Sequence, residues 1–259
     1  MIFVHRSHST VREGRYINLD IFYHYMSQIL QGDAISVLKT LPENSIDCIF
    51  TAPSPFGFYE NGSNKIGGEA SLTDYINSIV NICKECHRVL KKEGSLWVQL
   101  PDIFTPYGDL ASIPTYFEVK MVLESDFMLN DRVFWHRIEK NHEKRYKERG
   151  FLKNYEFLFH FVKDIDQFYF NSHSKYSKSS IFSFPLEDSY YTNEFDSGLP
   201  SELSKMVIDT TVPPNGTVLD PLAGSGKVAQ VAKKMGRDFI LIEIDPEIYE
   251  LLRIKFNID

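Results

Sequence analysis

The stretch Thr217-Val218-Leu219-Asp220-Pro221-Leu222-Ala223-Gly224-Ser225-Gly226 is where residue type and spacing point most directly to chemistry. Strand-forming residues run into a carboxylate, and a glycine-rich turn follows. Lacking a Cβ, Gly224 and Gly226 let the backbone approach a ligand closely. A helix over 227–235 then carries Val228, Ala229, Val231 and Ala232 at helical spacing, and Gly236 closes it. A second strand, Phe239 to Ile242, ends on Glu243, placed to accept hydrogen bonds from two ribose hydroxyls. This order of strand, turn, helix, strand and acid is half of a nucleotide-binding doubly wound sheet. The turn is neither the G-x-G-x-x-G of nicotinamide enzymes nor a phosphate loop ending in Gly-Lys-Ser/Thr. Asp220 also puts negative charge where a pyrophosphate would sit. A nucleoside ligand carrying positive charge suits such a site, and S-adenosylmethionine has that character.

A second stretch, Thr51-Ala52-Pro53-Ser54-Pro55-Phe56-Gly57, follows a buried strand over 46–51. Its two prolines end the strand and fix a rigid, extended loop. The carboxyl edge of an open α/β sheet, where this loop falls, is where active sites lie. Upstream, the short strand beginning at Ile29 ends in Gly32-Asp33. As a bare Gly-Asp turn, Asp33 reads as a loop cap. Asp220 and Ser225 read either as ligand contacts or as caps of the helix that follows.

These groups must be positioned by the intervening elements. A short helix spans 34–41, and 58–68 is a loop. Ser71-x-x-Asp74 is a capping box for a long amphipathic helix carrying Tyr75, Ile76, Ile79, Val80, Cys83, Cys86, Val89 and Leu90, with Gly94 as its stop. A strand over 95–100, a helix over 114–123, and an antiparallel pair of strands over 131–135 and 156–162 follow. Residues 164–194 are aromatic and Ser-rich, and read as an insertion on the sheet outside the core. Leu199-Pro200-Ser201 starts a helix that runs through Ile208. The expected fold class is α/β, a Rossmann-like, mostly parallel doubly wound sheet in one domain over 1–259.

Composition narrows the function. No run of about 18 apolar residues exists, so no membrane span is expected. The polar N-terminus is no secretory signal, and three cysteines favour a reducing cytoplasm over a disulfide scaffold. Cys83-Lys84-Glu85-Cys86 lies mid-helix without a second pair and reads as core; no metal site is expected. The net charge is −7, yet Asp131 to Lys153 holds eight basic residues (Arg132, Arg137, Lys140, Lys144, Arg145, Lys147, Arg149, Lys153) against four acids. That local excess reads either as a phosphate-facing patch or as a solvated loop.

The ordered set of motifs resembles the exocyclic-amino DNA methyltransferases of bacterial restriction–modification systems, in the permuted group whose catalytic half precedes the cofactor half. The match runs through Gly32-Asp33, Thr51 to Gly57, Ile66-Gly67-x-Glu69, Arg88-Val89-Leu90, Trp97, Val133-x-Trp135, Glu156, Leu199-Pro200, the Asp220 stretch, Gly236-Arg237, Glu243 and Tyr249. It covers most of the chain except the first 28 residues and 164–194. The resemblance implies a catalytic half over about 29–163, a target-recognition insertion over about 164–194 and a cofactor half over about 195–259. It implies S-adenosylmethionine as methyl donor and S-adenosylhomocysteine as product, held by Asp33, Thr51, Asp220, Pro221, Ala223, Gly224, Ser225, Gly226 and Glu243. Duplex DNA is the implied substrate, gripped by Arg137, Lys140, Lys144, Arg145, Lys147 and Arg149. A homodimer and a cognate restriction endonuclease are the implied partners.

The family's loop has the form Thr-Ser-Pro-Pro-Tyr, and this chain departs from it. Aligned by length, Ala52 stands at the acceptor position, with Pro53, Ser54 and Pro55 behind it. In a shifted register, Ser54-Pro55-Phe56 supplies the hydroxyl, the rigid carbonyl and the stacking ring. A third reading has Ala52 as a loss of the acceptor, leaving a catalytically impaired DNA- or cofactor-binding protein. No Asp stands in the loop, and within the family Ser-first loops accompany cytosine. The resemblance therefore points to N4-cytosine methylation with base flipping, with N6-adenine as the alternative.

Overall fold

The computed structural model describes residues 27–105, 107–138, 153–185 and 199–258. Among these residues, eight strands form one sheet: β1 (Gln28–Gln31), β2 (Ile46–Thr51), β3 (Leu90–Leu100), β4 (Met128–Ile138), β5 (Tyr155–Val162), β6 (Ile181–Pro185), β7 (Thr217–Asp220) and β8 (Asp238–Glu243). Their order across the sheet is β1-β8-β7-β2-β3-β5-β4-β6. Only β5 runs against the others, pairing antiparallel with both β3 and β4. The sheet is therefore mostly parallel, as expected.

Its central strands are buried on both faces. In β2, Ile49 points into one core while Cys48 and Phe50 point into the other, as the two-residue period of a strand requires. Helices α1 (Ala34–Leu38), α2 (Leu72–Val89) and α3 (Ile113–Glu124) cover the first face. Helices α4 (Ser201–Thr211), α5 (Lys227–Lys234) and α6 (Pro246–Phe256) cover the second. The capping box forms: the Ser71 hydroxyl accepts from the Asp74 N–H at 3.1 Å. Cys83 and Cys86 are buried in the first core, and burial pushes the Cys83 thiol up to about 12.

Two local expectations need correction, and one helix has no counterpart in the sequence reading. Gly94 does not stop α2; the helix ends at Val89 and Gly94 lies inside β3. A Cβ there would sit 2.7 Å from the Leu90 side chain, which explains the glycine without a helix end. The stretch from 164 is not wholly outside the core, since Tyr176 is buried and β6 extends the sheet in parallel with β4. Finally, α6 went unread. Its start is encoded in Asp245-Pro246-Glu247, where the Asp245 carboxylate accepts from the N–H groups of Glu247 and Ile248.

Candidate active site

The carboxyl ends of β1, β7, β8, β2 and β3 and the amino end of β5 meet at one edge of the sheet, around a cleft of about 790 Å³. At one end of it the glycine turn makes a tight bend. Gly226 has φ +68°, and a Cβ on it would come within 2.6 Å of Leu252, so only glycine fits between β7 and α6. Gly224 is also left-handed, with open space where a Cβ would stand.

The two carboxylates flanking this turn are both buried. Glu243 accepts from the Gly224 N–H through Oε2 and from the Asp245 N–H through Oε1, each at 2.9 Å. Both oxygens are thus fixed in place while the side chain lines the cleft. Burial raises its pKa, and the two amides only partly offset that. Asp220 is 4% exposed and accepts from the Leu222 N–H at 3.1 Å. Burial, with a smaller contribution from Glu243, raises its carboxyl to about 7. The buried Thr51 hydroxyl bears on the Asp220 carboxyl without reaching hydrogen-bond geometry with any described group. A nucleoside with a positive centre fits this end. It finds acceptors for its hydroxyls, an uncompensated acid for its charge and no Cβ in its way.

Asp33 lines the same cleft and caps α1, accepting from the Ile35 N–H at 3.3 Å. The same residue thus caps the helix and faces the cleft. Pro221, Ala223 and Ser225 also line the cleft; Gly226 and Thr51 stand behind it.

Ala52, Pro53, Ser54 and Pro55 form the next part of the wall. The loop is held rigidly. The hydroxyl of the fully buried Tyr75 donates to the Ser54 carbonyl at 3.0 Å. Gly67, at φ +100°, packs so closely that a Cβ would lie 2.6 Å from the Pro55 oxygen. Phe56 is not among the residues that line the cleft. It turns toward α2, 5.7 Å from the Tyr75 ring, and packs on the core. The rings that border the cleft here are Phe58 and Tyr59, from the loop read only as a connection. Lys65 lies over the Tyr59 ring at 4.9 Å and pairs with Asp245, tying this loop to the start of α6 beside Glu243. That ion pair raises the Lys65 pKa.

Of the basic residues proposed to grip DNA, Lys140, Lys144, Arg145, Lys147 and Arg149 lie outside the described residues. Arg137 is described, and it is no phosphate-facing side chain. It is 6% exposed, donates to Glu156 at 2.6 Å and also donates to the Lys153 carbonyl. Alternation along β4 turns it inward, and the acid on β5 compensates its charge. Arg132, by contrast, is exposed and paired with Glu118.

A sequence model of DNA methylases acting at N6 or N4 matches residues 46–253, which spans both the loop and the glycine turn. The chain belongs to the N6/N4 DNA methylase family. As a member it takes its methyl group from S-adenosylmethionine. It is 28% identical over 264 residues to the type II methyltransferase M.Cfr9I of Citrobacter freundii, covering 86% of this chain and 85% of that one. It is 29% identical over 254 residues to the DNA adenine methyltransferase YhdJ of Escherichia coli K12, covering 86% and 80%. The solved PvuII DNA methyltransferase, described as cytosine-N4-specific, shares the fold with a TM-score of 0.75 at 18% identity, over 90% of this chain and 88% of that one.

Proposed function

We propose that this DNA methylase methylates the N4 amino group of cytosine in duplex DNA, in a target base turned out of the helix into the cleft. The observation that carries the reading is the junction of two unlike walls in one cleft. The acid-lined glycine turn of β7 and β8 abuts a rigid Pro-Ser-Pro loop at β2 that holds no carboxylate. A base amino group is a poor nucleophile because its lone pair is delocalised into the ring. Oxygens that accept its N–H bonds draw it toward tetrahedral geometry and aim the lone pair. Such positioning and preorganised polarity account for much of an enzyme's rate.

S-adenosylmethionine, when bound, supplies the methyl group on a positively charged sulfur. Glu243 would take the ribose hydroxyls, Asp33 the adenine end, and Asp220 would face the positive centre. Ser54, on a peptide fixed by Tyr75, is the hydroxyl that stands in for the acceptor missing at Ala52. Phe58 and Tyr59 are the rings against which a flipped base can stack. The proposed arrangement of halves is catalytic over 29–163, then recognition over 164–194, then cofactor over 195–259. The basic run over 140–149 remains the proposed phosphate grip, and a restriction endonuclease and a second copy of the chain the proposed partners.

A second reading, N6-adenine methylation, is favoured by the resemblance to the adenine enzyme YhdJ. Expression in a host lacking base methylation, followed by mass analysis of its DNA nucleosides, separates the two. N4-methylcytosine supports the proposal, and N6-methyladenine replaces it with the second reading.

A further inference from the structure

Beyond the glycine turn and the loop, the cleft has a third wall, assigned no role so far. Gln99 on β3, Glu156 on β5 and Arg137 on β4 line it, and all three are more than nine-tenths buried. The sheet order β8-β7-β2-β3-β5-β4 sets out the site in sequence. The cofactor acids stand on β7 and β8, the Pro-rich loop on β2, and this cluster follows on β3, β5 and β4. Gln99 on β3 therefore follows the β2 loop along the wall of the same cleft.

The hydrogen bonds fix what Gln99 offers. Its amide nitrogen donates to Glu156 Oε2, and Glu156 Oε1 accepts from Arg137 at 2.6 Å. An amide beside a carboxylate must present its NH₂ group, because two acceptor oxygens would repel. The Gln99 carbonyl oxygen is thereby turned away from Glu156. Arg137 compensates the Glu156 charge, so the cluster is locked in this polarity.

We propose that Gln99 Oε1 accepts a hydrogen bond from the exocyclic amino group of the target base, with Glu156 as the positioning residue that orients it. The inference rests on the DNA amino-methyltransferase reading. An amino group has two N–H bonds to place; the Ala52 side chain offers no acceptor, one oxygen of the loop around Ser54 takes one, and Gln99 takes the other. The same oxygen discriminates between bases. Cytosine at C4 and adenine at C6 present an amino N–H to it, whereas thymine at C4 and guanine at C6 present a carbonyl that it repels.

The test compares the native protein with Gln99→Met, Glu156→Gln and the double variant. The readouts are S-adenosylmethionine affinity by calorimetry, melting temperature, and kcat and KM for tritiated methyl transfer to unmethylated duplex DNA. Met matches the length of Gln and removes the acceptor. Gln99→Met is expected to keep cofactor affinity within about twofold while kcat falls about 100-fold, the scale of losing one preorganised polar contact. Glu156→Gln keeps an acceptor for Arg137 but no longer dictates which way Gln99 turns. It is expected to lower kcat, and the double variant to be no worse than Gln99→Met, because Glu156 acts through Gln99.

A Gln99→Met kcat within about threefold of native overturns the proposal. So does a loss of cofactor affinity that parallels the loss of kcat, which marks a merely structural role, and so do additive effects in the double variant. Native protein that transfers no methyl to any DNA base overturns the proposed function and this inference together. An active native enzyme indifferent to Gln99 overturns the inference alone.

Discussion

Replacing Asp220 with Asn should make the ligand-free protein more stable and its cofactor binding weaker. The carboxyl is 4% exposed, and its pKa stands at about 7 against an ordinary 3.8. Asn keeps the shape and an oxygen to accept from the Leu222 N–H but cannot ionise. In the native protein the folded state holds a proton on Asp220 that the unfolded state releases between these two pKa values. Native stability therefore falls relative to the variant as pH rises through that window, and the gap is level above pH 7. A shift of about three units at 1.36 kcal/mol each gives a gap near 1 kcal/mol at pH 4.5 and about 4 kcal/mol at pH 8. Denaturant unfolding of both proteins across this range, without ligand, measures it, and the difference cancels the titrating groups that do not interact with Asp220. Calorimetry should show affinity for the positively charged cofactor lowered at least tenfold in the variant, the equivalent of about 1.4 kcal/mol. A gap that stays constant or shrinks with rising pH would refute the reasoning, as would unchanged cofactor affinity.

Other perturbations probe separate parts of the site. His160 stacks on Trp97 at 4.2 Å, and burial lowers its pKa to about 3, so it stays neutral in the fold while the unfolded chain protonates near 6.5. Stability should therefore fall as pH drops from 6.5 toward 3, by roughly 4 kcal/mol, and His160→Gln should flatten that slope in unfolding curves. Gly67→Ala forces a Cβ within 2.6 Å of the Pro55 oxygen at φ +100°, and should cut kcat at least tenfold with cofactor affinity little changed, as calorimetry and steady-state kinetics will show. Lys65→Met removes the tie to Asp245; stopped-flow fluorescence should record faster cofactor release, by about two- to tenfold, the modest worth of a partly buried ion pair.

The nucleoside-binding unit was legible because it is local. Val218 and Leu219, the two glycines, the helix of Val228 to Ala232 and Glu243 are close in sequence, and each is dictated by a backbone or burial requirement visible there. The capping box at Ser71 and the β4–β5 pair were legible for the same reason. What sequence did not reveal depends on partners distant in the chain. Arg137 looked solvent-facing because its compensating acid, Glu156, is 19 residues away on the next strand. Gln99 carried no signal until its amide was seen against that acid. Phe56 follows the Ser-Pro pair and so reads as a ring for the base, but in the fold it packs toward Tyr75 and the first core. The Lys65–Asp245 tie joins positions 180 apart, and only the Asp-Pro-Glu start of α6 hinted at one end of it.

The central claim is methyl transfer to the cytosine amino nitrogen, and one measurement tests it most directly. Purified protein is incubated with methyl-tritiated S-adenosylmethionine and mixed-sequence duplex DNA, and the DNA is digested to nucleosides and separated. The account predicts radioactivity in N4-methylcytosine. Label confined to N6-methyladenine, or DNA left unlabelled by protein that binds the cofactor, would contradict it.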